Sequence, residues 1–468
     1  MVFSSYIFIL AFLPIVVIVY YLLSHVKNSL IQRLFLIAAS LFFYGYYNVR
    51  YLALILASIA VNYVLANGIQ QSEGKKAKLF FVLGILFNVG LIGYFKYYDF
   101  FVENINAVFR TSFTLKHILL PLGISFFTFQ QLSFLVSVYH GEERVEQLRD
   151  YCLFVSFFPQ LVAGPIVLYS EMIPQFMDEK RRYFDADNFA AGIYMFSIGL
   201  FKKAAIADTL AFFADAGFGM TDIGMAAGWL ISVSYTLQIF FDFSGYSDMA
   251  IGLGKLFNID IPMNFRRPYV SESITEFWRR WHITLGRALS TYVYKPLGGN
   301  RKGLPRTCVN LFLTFLVSGL WHGAAWTFVL WGALHGVFVV IERILKEKLE
   351  KFPHRVRVAG TFLIVNLLWV LFRAENFGMA AEVYKGMFNL GNLSGLHELI
   401  RATSSFVESA INLALVAVFI PVVMKLKCVS PKASDFRPSR GTLVQTAVFF
   451  TLAFLCLSRE TVFIYFNF

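Results

Sequence analysis

Three histidines of this chain lie within or beside apolar stretches, where an imidazole is unusual. They are His282, His322 and His335. A neutral imidazole titrates near working pH and can remove a proton from a reacting hydroxyl, so His322, between Trp321 and Gly323, is a candidate general base. A histidine that only packs between helices, bonded to a backbone carbonyl, is the alternative. His335 would lie ~20 Å from His322 on one straight helix, so the two meet only if the chain folds back.

A metal site built from these histidines is not favoured by their spacing. No two of them have the short separation of helical ligand pairs, and no Cys or Glu joins them. The cysteines are scattered, without the paired spacing of a zinc site or a disulfide framework, and we assign them no role. They are Cys152, Cys308, Cys428 and Cys456. We therefore predict neither a metal nor a bound cofactor.

Two carboxylates, Asp242 and Asp248, follow an apolar run and stand among hydroxyls and a glycine. Ionisable groups at membrane depth are costly and usually functional. The stretch is typical of a broken helix or a re-entrant turn. Either carboxylate could orient a histidine, and helix capping or structural pairing is the alternative.

The segment 265–306 carries nine Lys and Arg against two Glu, including Arg279 and Arg280, with aromatic residues interleaved. Trp278 and Trp281 are three residues apart, which predicts one shared helix face at the membrane surface. The positive charge of this segment alone is typical of a cytoplasmic loop. The net charge of +12 on the whole chain has the same explanation, and we do not interpret it as nucleic-acid binding. The functional interpretation is a cytoplasmic mouth that attracts an anionic donor.

These groups must be positioned by membrane helices, because 57% hydrophobic and 15% charged residues over 468 positions are too apolar for a soluble fold. Runs near the ~20 residues that cross a bilayer predict about eleven spanning helices, plus re-entrant or interfacial helices, in a single domain over 1–468. The first run, from Phe3 to Leu23, is interpreted as a retained helix rather than a signal peptide. The others lie near 34–47, 51–69, 79–95, 118–138, 151–169, 189–201, 225–241, 309–341, 358–372, 407–424 and 443–457.

Basic clusters predict which loops are cytoplasmic. They lie at 75–78, 266–306, 343–357 and 425–440, which puts the N-terminus and residues 373–406 outside. The apolar run 309–341 has basic loops at both ends, yet as one helix it would be ~50 Å long, well above a ~30 Å hydrocarbon core. We therefore predict a hairpin that bends at 318–323, which places His322 inside the bilayer or near it.

Six short stretches, in one order along the chain, form a more specific pattern than any single motif. They are LPLGISFFTFQ (120–130), FPQLVAGP (158–165), DFSGYSD (242–248), NF (264–265), FWRRWHIT (277–284) and SGLWHG (318–323). The block 369–375 and the ending 463–466 add to it. Over most of its length the sequence resembles the membrane-bound O-acyltransferase family, specifically its bacterial alginate O-acetyltransferase branch. Similar proteins tend to have Asp where this chain has Ser137, and we assign that residue no function.

The resemblance implies an all-α polytopic bundle with a central tunnel, in which a hydroxyl attacks a thioester carbonyl while the catalytic histidine removes its proton. His322 matches that catalytic histidine, and His282 matches a second histidine of the bacterial branch, to which we give a supporting role. Further candidates for the substrate or donor tunnel are Trp321, Trp278, Trp281, Asp242, Asp248, Asn264, Arg279, Arg280 and His335.

The implied donor is acetyl-CoA or another acyl thioester on the cytoplasmic side of a bacterial inner membrane. The implied acceptor is an exported polysaccharide, with alginate preferred, and a separate periplasmic acetyltransferase is the expected partner besides membrane lipid. Transfer of D-alanine to teichoic acid and peptidoglycan O-acetylation remain alternatives. A transporter or flippase is the alternative from another class, but the two related halves with broken helices that it predicts are not visible.

Overall fold

A computed structural model of the chain describes residues 1–403, 405–425 and 433–457. Cys428, the ending 463–466 and part of the basic cluster 425–440 lie outside them. The first ten helices are α1 (Leu13–Leu23), α2 (Ser29–Gly45), α3 (Val49–Gln70), α4 (Gly74–Phe109), α5 (Ile124–Tyr139), α6 (Leu148–Ser156), α7 (Phe158–Leu161), α8 (Tyr169–Met177), α9 (Ala186–Leu200) and α10 (Asp208–Phe218). The next ten are α11 (Met225–Leu256), α12 (Ile274–Arg280), α13 (Ile283–Leu289), α14 (Gly303–His322), α15 (Trp326–Leu349), α16 (His354–Arg373), α17 (Phe377–Met387), α18 (Leu396–Ala402), α19 (Phe406–Lys425) and α20 (Arg440–Cys456).

Short π-helical and 3₁₀ segments join or extend several of these helices. The π-helical ones are Phe8–Phe12, Phe201–Ala207 and Ser290–Tyr294, and the 3₁₀ ones are Pro268–Val270 and Ala433–Asp435. All the secondary-structure elements assigned in the described residues are helices, so the all-α prediction is confirmed for them.

Among the described residues, seven helices are long and apolar enough to cross a membrane, and four shorter apolar helices accompany them. The prediction of a polytopic membrane bundle is therefore confirmed, while the count of about eleven crossings and the orientation of the loops stay predictions. The single domain also stays a prediction. By their contacts the described residues group into two compact units. The first comprises those within 1–197, 247–262 and 433–447, and the second those within 198–246, 263–425 and 448–457.

Three of the predicted elements differ from the structure. The run 151–169 is not one helix, because Pro159 and the turn that follows α7 divide it between α6, α7 and α8. The predicted break near Asp242 does not occur, since α11 continues as regular helix to Leu256. The run 189–201 does not end at its two lysines, because the helix continues through the π-helical segment into α10.

The first unit is built on α1 to α8. Asn28 and Asn48 begin α2 and α3 by accepting hydrogen bonds from the backbone two residues on, as N-cap residues do. Inside, Asn62 of α3 exchanges side-chain amide hydrogen bonds with Asn88 of α4 and donates to Gln131 of α5 at 2.6 Å. Such amides join apolar helices in membranes, where packing alone discriminates weakly between partners.

The second unit contains the hairpin of α14 and α15. A Cβ on Gly319 would lie 2.4 Å from the carbonyl oxygen of Phe328, and one on Gly332 would lie 2.5 Å from that of Phe315. The missing side chains therefore let the two backbones touch, which is how small residues work at membrane helix crossings. The predicted hairpin is confirmed, but its bend lies at 323–325, after His322, and Gly319 serves the crossing rather than the bend.

Candidate active site

His322 is the last residue of α14 and is buried, with 4% of its surface exposed. Aromatic side chains contact its ring. The ring centroids of Trp331 and Phe372 lie 5.1 and 5.2 Å away, and that of His282 lies 6.5 Å away. The structure thus brings together the two histidines that the sequence singled out, although 40 residues separate them.

His282 lies in a strained turn between α12 and α13. Its φ of 45° falls in the left-handed region, which a residue with a Cβ seldom adopts and which concentrates at functional sites. Asn264 holds this turn: its backbone carbonyl accepts from the Ile283 N–H at 3.0 Å, and its side-chain oxygen accepts from the N–H and the hydroxyl of Thr284 at 3.2 and 2.7 Å. The predicted site residue Asn264 therefore positions His282.

The surroundings of His282 favour a neutral imidazole. The side chain is 1% exposed, and the Phe243 ring meets it edge to face at 4.6 Å. Burial lowers the pKa of His282 to about 3, because a cationic imidazole would lose its hydration there. The lowered pKa favours the neutral imidazole, which can donate or accept a hydrogen bond.

Two contacts fix α12 against α15. The indole N–H of Trp278 donates to Nδ1 of His335 at 3.2 Å, which leaves the His335 proton on Nε2. The Glu342 carboxylate accepts from the backbone N–H of Ile274, and from the N–H and hydroxyl of Thr275 at 2.9 and 3.0 Å. His335 therefore bonds to α12, while the Trp331 ring contacts both His335, at 4.8 Å, and His322.

The sequence predicted that Trp278 and Trp281 share one helix face at the membrane surface, and this prediction is wrong. Trp281 follows the last residue of α12 in extended backbone and is 1% exposed, packed on Trp369 at 5.0 Å. Trp278 is half-buried at its bond to His335. Arg279 is exposed, and Arg280 pairs with Glu276 one turn earlier at 2.5 Å.

The remaining predicted residues lie on other surfaces. Asp242 pairs with Lys203, whose Nζ lies 2.7 Å from it and 2.6 Å from Asp208, and all three side chains are buried. This is the structural pairing that the sequence left open. Asp248 is buried in the first unit, and Trp321 is half-buried beside His322 in the chain. Within the described ranges no three His, Cys, Asp or Glu side chains form a group that could hold a metal ion.

Sequence reasoning missed Trp331, Phe372, Lys203 and Glu342. The two aromatic residues stand in apolar runs, where nothing separates a ring that faces lipid from one that faces a histidine. Lys203 lies just beyond the predicted run 189–201 and was not singled out. A signal for Glu342 did exist, since a carboxylate in the last third of an apolar helix needs a partner.

Comparison with known proteins gives one family. The pattern of the membrane-bound O-acyltransferase family matches residues 146–381. A peptidoglycan O-acetyltransferase of Helicobacter pylori is 41% identical over 100% of this chain and 97% of its own length. A probable alginate O-acetylase of Pseudomonas putida is 44% identical over 86% of this chain and 83% of its own. A teichoic acid D-alanyltransferase of Bacillus subtilis is 29% identical over 49% of this chain and 61% of its own. With its apolar helices, this chain is a multi-pass membrane enzyme that belongs to the membrane-bound O-acyltransferase family.

Proposed function

We propose that this chain is an O-acetyltransferase that moves an acetyl group from a thioester donor on the cytoplasmic side, acetyl-CoA or another acyl thioester, to an exported glycan. The observation that carries the proposal is His322, which ends a buried hairpin helix with its ring 6.5 Å from that of His282, in a member of an acyltransferase family. The relatives named as O-acetyltransferases and O-acetylases support acetyl as the group transferred.

In this proposal His322 is the general base. A hydroxyl oxygen of the acceptor attacks the thioester carbonyl carbon while His322 takes the hydroxyl proton. The carbon–oxygen bond forms, the carbon–sulfur bond breaks, and His322 returns the proton to the leaving thiolate. No net charge is created, which suits a site where the rings in contact with His322 are neutral.

His282 is a supporting residue because its lowered pKa keeps it neutral. A neutral imidazole can orient a substrate hydroxyl or the His322 ring by hydrogen bonding without competing for the proton. The exposed Arg279 and the basic segment around it suit an anionic thioester donor. We assign this donor side to the cytoplasm and the enzyme to a bacterial inner membrane, with a separate periplasmic acetyltransferase as partner.

Two acceptors have specific support. Alginate is favoured by the sequence blocks and by relatives such as the probable alginate O-acetylase of Pseudomonas putida, at 44% identity. Peptidoglycan is favoured by the end-to-end match to the Helicobacter pylori peptidoglycan O-acetyltransferase, which leaves almost no part of either chain unmatched. Both are exported glycans that present hydroxyls, so the chemistry at His322 is the same.

The test is the content of ester-linked acetate in secreted polysaccharide and in purified peptidoglycan, from cells that carry the wild-type protein or His322→Ala at equal membrane levels. We expect one fraction to lose its acetate in the variant while glycan yield stays constant, and that fraction identifies the acceptor. Unchanged acetate in both fractions would remove His322 from the chemistry. Acetate absent from both fractions even with the wild-type protein would reject the acetyltransferase assignment.

A further inference from the structure

Polar side chains line the α14–α15 hairpin at helical spacing. Ser318 and His322 are four residues apart on α14, and Thr327 and Trp331 are four apart on α15, so each pair shares a helix face. All four are at least nine-tenths buried. Such groups are costly inside an apolar bundle, and a purely structural crossing would be served as well by Ala and Leu.

Trp331 differs from most buried tryptophans in its indole N–H. Its side chain is fully buried, yet Nε1 has no hydrogen-bond partner among the described residues. Buried indole N–H groups usually find an acceptor, so one without an acceptor in the described part of the chain calls for a specific explanation. The ring meets that of His322 edge to face, with 5.1 Å between centroids and 89° between planes.

The position of Trp331 is well defined. Its ring packs on Trp278 at 5.6 Å, on His335 at 4.8 Å and on Trp369 at 5.8 Å. The backbone beneath it is held where Gly332 crosses Gly319. A donor fixed in this way needs no reorganisation when charge develops near it, which is the property of an oxyanion hole.

Trp331 also suits this task chemically. An indole N–H only donates, so it cannot take the acceptor's proton in place of His322 or become acylated as a hydroxyl could. In acyl transfer the attacking hydroxyl oxygen adds to the carbonyl carbon and the carbonyl π pair moves onto oxygen. That oxygen bears the negative charge until the carbon–sulfur bond breaks and the thiol leaves with the proton from His322.

We propose that Trp331 is a catalytic residue whose indole N–H donates a hydrogen bond to the carbonyl oxygen of the thioester and holds the oxyanion formed on it. The inference rests on the proposed acyl transfer. In this inference α15 supplies the hydrogen-bond donor to the oxyanion, and α14 supplies the general base, His322.

The experiment compares Trp331→Phe with Trp369→Phe in the purified full-length enzyme, with acetyl-CoA as donor and a soluble oligosaccharide of the acetylated glycan as acceptor. Each variant keeps an aromatic ring in the same cluster and loses one indole N–H. Trp369 stacks on Trp331, one ring further from His322, and its side chain interacts with that of Tyr269. We expect Trp331→Phe to lower kcat by about 100-fold with little change in the KM for acetyl-CoA, as loss of one oxyanion donor does. Trp369→Phe should stay within about threefold of wild type.

A second measurement keeps the inference testable if the variant folds poorly. A ketone analogue of acetyl-CoA whose carbonyl adds a hydroxyl imitates the tetrahedral oxyanion, whereas the thioether analogue has no carbonyl. Trp331→Phe should weaken binding of the ketone and leave binding of the thioether unchanged. Equal loss for both analogues, or a kcat within twofold of wild type, would overturn the assignment of Trp331. No acetyl transfer by the wild-type enzyme would instead overturn the proposed function.

Discussion

The crossing of α14 and α15 makes a quantitative prediction for Gly332→Ala. The added Cβ would lie 2.5 Å from the carbonyl oxygen of Phe315 and 2.9 Å from the Cα of Gly319, whereas ordinary contact begins at 3.4 Å. Both neighbours are backbone atoms, so a rotamer change cannot relieve the overlap and the helices must separate by about 0.9 Å. Overpacking of this kind costs roughly 1–3 kcal/mol of folding free energy, against a gain of about 1 kcal/mol when Ala replaces Gly in a helix.

The same displacement separates His322 on α14 from Trp331 on α15. A misplacement of about 1 Å in a catalytic arrangement lowers rates by up to about 100-fold, so we expect kcat to fall by ten- to a hundredfold. The matched control is Gly360→Ala on α16, where an added Cβ meets nothing within 4 Å. It should keep kcat and raise the Tm.

The assay is acetyl transfer together with thermal unfolding in detergent, for both variants at equal concentration. If Gly332→Ala matched Gly360→Ala in kcat and in the sign of its Tm change, close backbone contact at the crossing would not be what positions the site.

Three further variants test the parts around the histidines. His282→Gln should flatten the pH dependence of stability, because the pKa of His282 is about 3 in the folded protein and 6.5 in the unfolded chain. As the pH falls from 6.5 towards 3, only the unfolded wild-type chain takes up this proton, so the folded wild-type protein loses up to about 1.4 kcal/mol of stability per pH unit. The loss is measured as a difference in Tm between variant and wild type. Asn264→Ala should cost ~1–3 kcal/mol and lower kcat, because the buried N–H and hydroxyl of Thr284 lose their acceptor, and a Tm equal to wild type would contradict this. Lys203→Met should cost about 3–5 kcal/mol by leaving Asp242 and Asp208 without their shared cation, and Lys203→Met combined with Asp242→Asn should recover part of it; an unchanged Tm in the single variant would show that the pair is not needed.

Features that depend on one stretch of sequence could be predicted, whereas contacts between separate stretches could not. The hairpin followed from length alone, since an apolar run between two basic loops was too long for one crossing. The glycines at 318–323 were expected to weaken the helix and to let other backbone approach closely. Gly319 does the second, and the sequence did not name its partner Gly332. Sequence shows that a glycine is needed but not which other segment approaches it.

The meeting of His282 and His322 could not be obtained from spacing. It depends on a left-handed residue held by Asn264, and a histidine in that conformation leaves no mark in the hydrophobic pattern. Resemblance to the family named both histidines without saying that they touch. The pairing of Lys203 was not predicted either. A buried lysine is costly unless it is paired, and the structure supplies Asp242 and Asp208 as its partners.

Helix α11 makes two different contacts with neighbouring residues. Asp242 and Phe243 are adjacent, so their side chains leave the helix about 100° apart: the carboxylate meets Lys203, and the ring meets His282. The ion pair therefore fixes the helix that carries Phe243 while its charges stay off the surface that faces the imidazole. The side chain by which α11 contacts His282 is an uncharged ring, and burial lowers the pKa of that imidazole. The Lys203–Asp242 pair thus acts on the site through the helix that carries Phe243.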